Sequence, residues 1–122
     1  MKFIKKYKSY NFSKRKNRSS LKYIIIHYTA MLRDFEAIHH LCNKKNKVSS
    51  HFLINKEGKI YYLVDLKNRA WHAGDSFWYK KRDINSESIG IEIDNSGHHI
   101  LFENYTSAQI NSLISLLKFL IK

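Results

Sequence analysis

Tyr23-Ile24-Ile25-Ile26-His27-Tyr28-Thr29-Ala30 decides how this 122-residue chain is read. A run of β-branched residues ends abruptly on a histidine followed by two hydroxyl side chains. Three successive isoleucines without polar alternation predict a strand covered on both faces, the kind that open α/β sheets use to deliver groups to their carboxyl edges. His27 therefore falls where such folds place their chemistry. An imidazole at that point needs partners for its ring nitrogens, either a metal or a hydrogen-bonding group.

Outward from this strand, the chain reads as one domain with a real core, since 43% of its residues are apolar and 14% aromatic. Cys42 is the single cysteine, which excludes an internal disulfide and a four-cysteine zinc site and leaves the redox compartment open. The formal charge of +12 is unevenly spread: Met1 to Lys22 holds nine Lys/Arg and no acid, while Tyr23 to Lys122 holds 13 basic and 10 acidic residues. Residues 1–22 are thus expected to form a basic N-terminal arm and residues 23–122 the domain. The arm has no apolar run beyond Phe3-Ile4, so it lacks the core of a secretory signal, and no stretch approaches the ~20 apolar residues of a membrane span. A cytoplasmic location without a membrane span is the resulting expectation.

Downstream, Asp34 is placed to cap a short helix with Phe35, Ile38 and Leu41 on its apolar face. Phe52 to Asn55 and Ile60 to Val64 flank Lys56-Glu57-Gly58-Lys59, which predicts a hairpin. Ser88 to Asp94 alternates Ile89, Ile91 and Ile93 with Gly90, Glu92 and Asp94, so Glu92 lies on the face opposite the isoleucines. That makes roughly four strands. Thr106 with Gln109 forms a capping box for an amphipathic helix whose buried stripe is expected to be Ile110, Leu113, Ile114, Leu117 and Ile121.

Seven histidines invite a metal reading, yet there is no His-Glu-x-x-His segment. His39 and Cys42 are spaced to touch one ion but lack a third ligand. His98-His99 read as exposed loop residues. Glu92 suits a general base if its strand end converges with that of His27, and a solvated carboxylate otherwise. Ala70-Trp71-His72-Ala73-Gly74 combines a stacking surface, a titratable ring and small residues, which suits an aromatic-lined carbohydrate or peptide groove or a tryptophan packed under a loop.

Taken together, Tyr23–Ala30, Val48-Ser49-Ser50-His51-Phe52-Leu53-Ile54, Gly58-Lys59-Ile60, Arg69-Ala70-Trp71-His72-Ala73-Gly74, and Asn85 followed by Ser88-Ile89-Gly90-Ile91-Glu92-Ile93 resemble the zinc-dependent N-acetylmuramoyl-L-alanine amidases of type 2, which share their fold with phage T7-type lysozyme and the peptidoglycan recognition proteins. The resemblance runs from about Asn11 to Lys122. It implies a mixed central β-sheet flanked by helices and hydrolysis of the amide between N-acetylmuramic acid and L-alanine in peptidoglycan or muropeptides. It also implies His27 as a zinc (Zn2+) ligand, Glu92 as the acid–base residue, and Trp71, His72 and Asn85 along the substrate groove. Ser50 replaces a tyrosine found in some branches, which favours Glu92 for proton transfer.

Family members continue beyond the last helix into a strand and loop carrying two further zinc ligands and a catalytic lysine, and no matching residues occur here. A catalytic zinc takes three protein ligands and a water, so weak zinc binding and impaired activity are expected of this chain alone, with a C-terminal complementing fragment as one source of the rest. A non-catalytic peptidoglycan-binding module is the alternative. Nucleic-acid binding through the arm, where Phe3, Tyr7, Tyr10 and Phe12 interleave with lysines, is disfavoured because charge runs are more often solvated tails.

Overall fold

The alternation in Ser88–Ile93 sets the two faces of the molecule. A computed structural model describes residues 1–16, 21–73, 83–97 and 103–121. Its strands are β1 (Phe3–Ile4), β2 (Phe12–Lys14), β3 (Tyr23–Tyr28), β4 (Phe52–Ile54), β5 (Ile60–Tyr62), β6 (Asn68–Ala70) and β7 (Ser88–Ile93). Helices α1 (Asp34–Cys42) and α2 (Ser107–Ile121) accompany them, with short 3-10 turns at Lys44–Asn46 and Ile84–Glu87. The main sheet has the order β1-β5-β4-β7-β3, and β2 pairs with β6 in a second, two-stranded sheet. Strands β3, β7 and β4 run parallel, whereas β4 and β5 form the expected antiparallel hairpin.

Ile89, Ile91 and Ile93 point to one side, where they are buried with Phe52, Ile54, Ile60 and Leu116 of α2. On the other side Leu53 and Tyr61 pack with Ala37, Ile38 and Leu41 of α1. The molecule is therefore a mixed sheet with one helix on each face, as the sequence implied. Glu92 belongs to the α1 face because it sits beside Leu53 in the β4–β7 register.

Three local expectations need correction. The first strand, β3, is not covered on both faces but forms one edge of the sheet, with Ile26 46% and Tyr28 45% exposed. Helix α1 starts at Asp34, but Arg33 is its cap position and makes no side-chain cap bond; the Asp34 carboxylate accepts from Asn55 Nδ2 instead, and Phe35 is exposed. In α2 the capping box forms in both directions, Thr106 N–H to Gln109 Oε1 at 3.0 Å and Gln109 N–H to Thr106 Oγ1 at 3.1 Å. The helix is nevertheless turned from the predicted stripe: Leu113, Leu116, Leu117 and Leu120 face the core, while Ile110, Ile114 and Ile121 are exposed. Polar anchors set this rotation, because Thr106 Oγ1 donates to Lys56 O, Gln109 Nε2 to Asp94 O and Ser112 Oγ to Gly58 O. Gly58 permits that approach; it has φ +83°, and a Cβ there would lie 2.8 Å from Ala108 O.

The largest departure concerns the basic arm, which is built into the fold up to Lys16. Phe3 and Ile4 pair in parallel with Ile60 and Tyr61, and Phe12 to Lys14 pair with Asn68 to Ala70. The Phe3 ring lies 5.4 Å from Phe52, 5.6 Å from Tyr62 and 5.6 Å from Phe119, centroid to centroid. Ser9 and Asn11 are buried, and the Asn11 carboxamide donates to the carbonyls of Leu41, Asn43 and Val48. Average charge hid this pattern, since each lysine can stay in water while the aromatic and short polar side chains between them turn inward.

Phe3→Ala is expected to lower unfolding stability by about 2 kcal/mol in urea titration, as for a largely buried aromatic. A change within about 0.5 kcal/mol, the usual range for an exposed position, would restore the solvated-arm reading.

Candidate active site

His27 and Glu92 are the penultimate residues of two adjacent parallel strands and are register partners. In register-paired strands both side chains leave the same face of the sheet. The carboxyl ends of parallel strands are the usual place for a site because the following loops diverge there. Burial alone pushes the Glu92 carboxyl from its ordinary 4.5 up to about 8. That keeps it protonated at lower pH and places its proton transfer near neutrality, as general acid–base chemistry requires.

Gly90, two residues before Glu92 on the same face, makes room for the next component. A Cβ at Gly90 would stand 2.4 Å from His72 Cγ, so the His72 ring lies directly over the strand backbone. From there its Nδ1 is 3.1 Å from His27 Nε2 and its Nε2 is 2.9 Å from Ser88 Oγ. Burial, and then the neighbouring His27 and His51 rings, push His72 down to about 3; burial also lowers His27. Both rings are neutral at pH 7.

A second buried ring braces this arrangement. Gly90 N–H donates to His51 Nδ1 at 3.1 Å, which leaves the proton on His51 Nε2 for the Asn68 carbonyl at 2.9 Å. The Arg15 guanidinium lies 3.2 Å from that same Nε2; with a proton already there the contact is repulsive, and with burial as the larger cause it holds His51 down at about 4. Arg15 instead donates to the carbonyls of Leu66, Asn85, Ser86 and Ser88, fixing the turn that precedes β7. Nothing in the sequence marked Arg15 among the other basic residues.

The three expected groove residues are placed differently from one another. Trp71 is half-buried and tied down at both ends, its N–H to Ser49 Oγ and its indole N–H to Ser13 Oγ at 3.1 Å. His72 is enclosed between Ser88 and His27. Asn85 is 3% exposed, and its carboxamide oxygen accepts from Ala73 N–H at 3.0 Å, so it braces the 71–73 segment. Ser50 is buried and donates to Phe52 O. Gly74, His98 and His99 lie outside the described residues.

The donor set does not fit a catalytic zinc. No group of three His, Cys, Asp or Glu able to hold a metal ion occurs among the described residues. Of the two rings beside Glu92, His72 spends Nδ1 on His27 and Nε2 on Ser88. His39 and Cys42 lie on α1, where they line a surface groove with Tyr7 and Phe35.

Comparison with known proteins gives the family. The family model described as N-acetylmuramoyl-L-alanine amidase matches residues 17–122. The chain belongs to the N-acetylmuramoyl-L-alanine amidase family. It is 37% identical to the N-acetylmuramoyl-L-alanine amidase AmiD of Escherichia coli over 110 residues, which cover 80% of this chain and 39% of AmiD. With the 1,6-anhydro-N-acetylmuramyl-L-alanine amidase AmpD of Haemophilus influenzae it shares 30% identity over 92% of this chain and 68% of the relative. Among solved structures, an AmpD derivative superposes with a TM-score of 0.79 at 25% identity, covering 98% of this chain and 73% of the other. The complex of E. coli AmiD with anhydro-N-acetylmuramic acid-L-Ala-D-gamma-Glu-L-Lys superposes at 0.76 with 35% identity, covering 83% and 43%. This amidase-family chain thus spans well under half the length of AmiD. No helix among its described residues is long and apolar enough to cross a membrane.

Two outcomes check the site. Gly90→Ala should evict the His72 ring and weaken its contacts to His27 and Ser88, seen as loss of His72 chemical-shift dispersion in nuclear magnetic resonance spectra. Between pH 4.5 and about 8 folded Glu92 holds a proton that the unfolded chain releases, so stability from this group falls as pH rises through that window. Glu92→Gln removes the titration. In metal-free protein its melting temperature relative to wild type should rise by at least about 4 °C between pH 4.5 and 8.5.

Proposed function

We propose that this chain carries the acid–base part of a muramoyl-L-alanine amidase site. The substrate is the amide between N-acetylmuramic acid and L-alanine in peptidoglycan or its anhydro-muropeptides. The observation that carries this reading is the register pairing of His27 with Glu92 at the carboxyl ends of β3 and β7, on a fold whose relatives include amidases. Glu92 takes the proton of the attacking water and returns it to the leaving alanyl nitrogen, which its position near neutrality suits. Trp71 and the 71–73 segment held by Asn85 form the wall beside it.

Zinc is the cofactor this reading implies, and it would polarise the amide carbonyl. His27 is the residue of this chain that would hold it, so retention of the ion rests on ligands from outside residues 1–122, and the exposed edge of β3 offers such a segment a strand to pair with. The alternative, a non-catalytic peptidoglycan-binding module, draws on the same wall and needs no ion.

Isolated chain should be retained on insoluble peptidoglycan in zinc buffer while releasing little stem peptide, followed by chromatography and mass spectrometry. Robust zinc-dependent release that His27→Ala abolishes would overturn the ligand count. Retention that persists in chelator favours the binding-module reading. Absence of both retention and release would remove peptidoglycan as the target.

A further inference from the structure

We infer that His72 and Ser88 are positioning residues: with the Ile84 carbonyl they form a one-way hydrogen-bond chain that locks His27 as its Nε2–H tautomer and leaves Nδ1 as the unprotonated nitrogen. The direction is fixed from the carbonyl end. Ser88 Oγ lies 2.7 Å from Ile84 O, and a carbonyl brings no proton, so the single serine proton occupies that contact. Ser88 Oγ can then only accept at its other contact, 2.9 Å away, and His72 Nε2 must be the donor. A neutral ring with its proton on Nε2 has a bare Nδ1, which accepts from His27 Nε2–H at 3.1 Å. Neutral His27 is left with a lone pair on Nδ1.

The reverse direction would turn the serine proton toward His72 and leave two bare oxygens 2.7 Å apart in the interior, where Ser88 is fully buried. Every member of the chain is independently held. Gly90 seats the His72 ring, Arg15 grips the Ser88 carbonyl, and Ile84 is buried in the turn before β7. This gives Ser88, which the sequence marked only as the start of a strand, a definite task, and it assigns His72 to orienting His27. The use made of the bare Nδ1 rests on the amidase reading, whereas the tautomer itself does not.

Long-range proton–nitrogen correlation spectra of the full chain, labelled with 15N-histidine and kept in chelator at neutral pH, read the tautomer directly. His27→Gln identifies the His27 signals by their disappearance. In the wild type, His27 should show a pyrrole-like Nε2 and a pyridine-like Nδ1. Ser88→Ala should shift both nitrogens toward tautomer-averaged values while circular dichroism stays unchanged. An Nδ1–H or averaged pattern in the wild type overturns the proposal. So do His27 signals that Ser88→Ala leaves in place. Failure of the amidase reading would instead appear in the peptidoglycan assays and leave these spectra as they are.

Discussion

The absence of a side chain at Gly90 is the constraint on which the rest of the site depends. A bare backbone in the middle of β7 lets one imidazole lie over the strand, while the N–H of the same residue is taken by a second imidazole from His51. The ring over the strand reaches sideways to β3 and back to Ser88, so it joins two strands and the turn before β7. A methyl group there would displace the ring and orphan its two polar partners, His27 and Ser88. Such a glycine weakens strand propensity, and burial of Ile89 and Ile91 on the opposite face offsets that cost.

Around this point the molecule divides its work between its faces. The isoleucines of β7, the β4–β5 hairpin and α2 make a dry core on one side. The other face carries the titratable groups, and there almost every hydrogen-bonding atom is matched to a partner whose protonation is fixed. His51 and His72 serve opposite ends of the same scheme. One ring terminates a backbone donor and passes its proton to a carbonyl; the other receives from His27 and gives to a hydroxyl. Glu92 is the exception, a carboxyl kept in the interior with burial as the sole cause of its shift.

Much of this was legible in the sequence, and the failures have physical reasons. The alternation of Ser88–Asp94, the turn chemistry of Lys56–Lys59 and the Thr106–Gln109 box are local signals, and each gave the element it promised. His27 and His72, which the family resemblance singled out, lie in contact in the structure. Composition could not reveal that Phe3 and Asn11 turn inward between lysines, because the partners that bury them lie 30 to 116 positions away in the chain. Hydrophobic periodicity likewise misjudged α2, whose rotation is set by three polar anchors to the β4–β5 turn and β7. It misjudged β3 too, since a run of isoleucines reads the same at the edge of a sheet as at its centre. Arg15, Ser88 and the proton order among the histidines are properties of spatial neighbours and leave no trace in spacing.

The paired register of the main sheet also carries a consequence for how the chain assembles. Both edges, β1 and β3, lie early in the sequence, whereas the strands they need come later: Phe3 waits for Ile60, and Tyr23 for Ser88. The hairpin β4–β5 is the one local pairing in that sheet, and loop closure makes distant pairings slow. Contact order therefore favours growth of the sheet from its middle outward, with β1 and β3 pairing after the strands between them. His27 and His72 are brought together by β7, which pairs with β3 and carries Gly90 beneath the His72 ring.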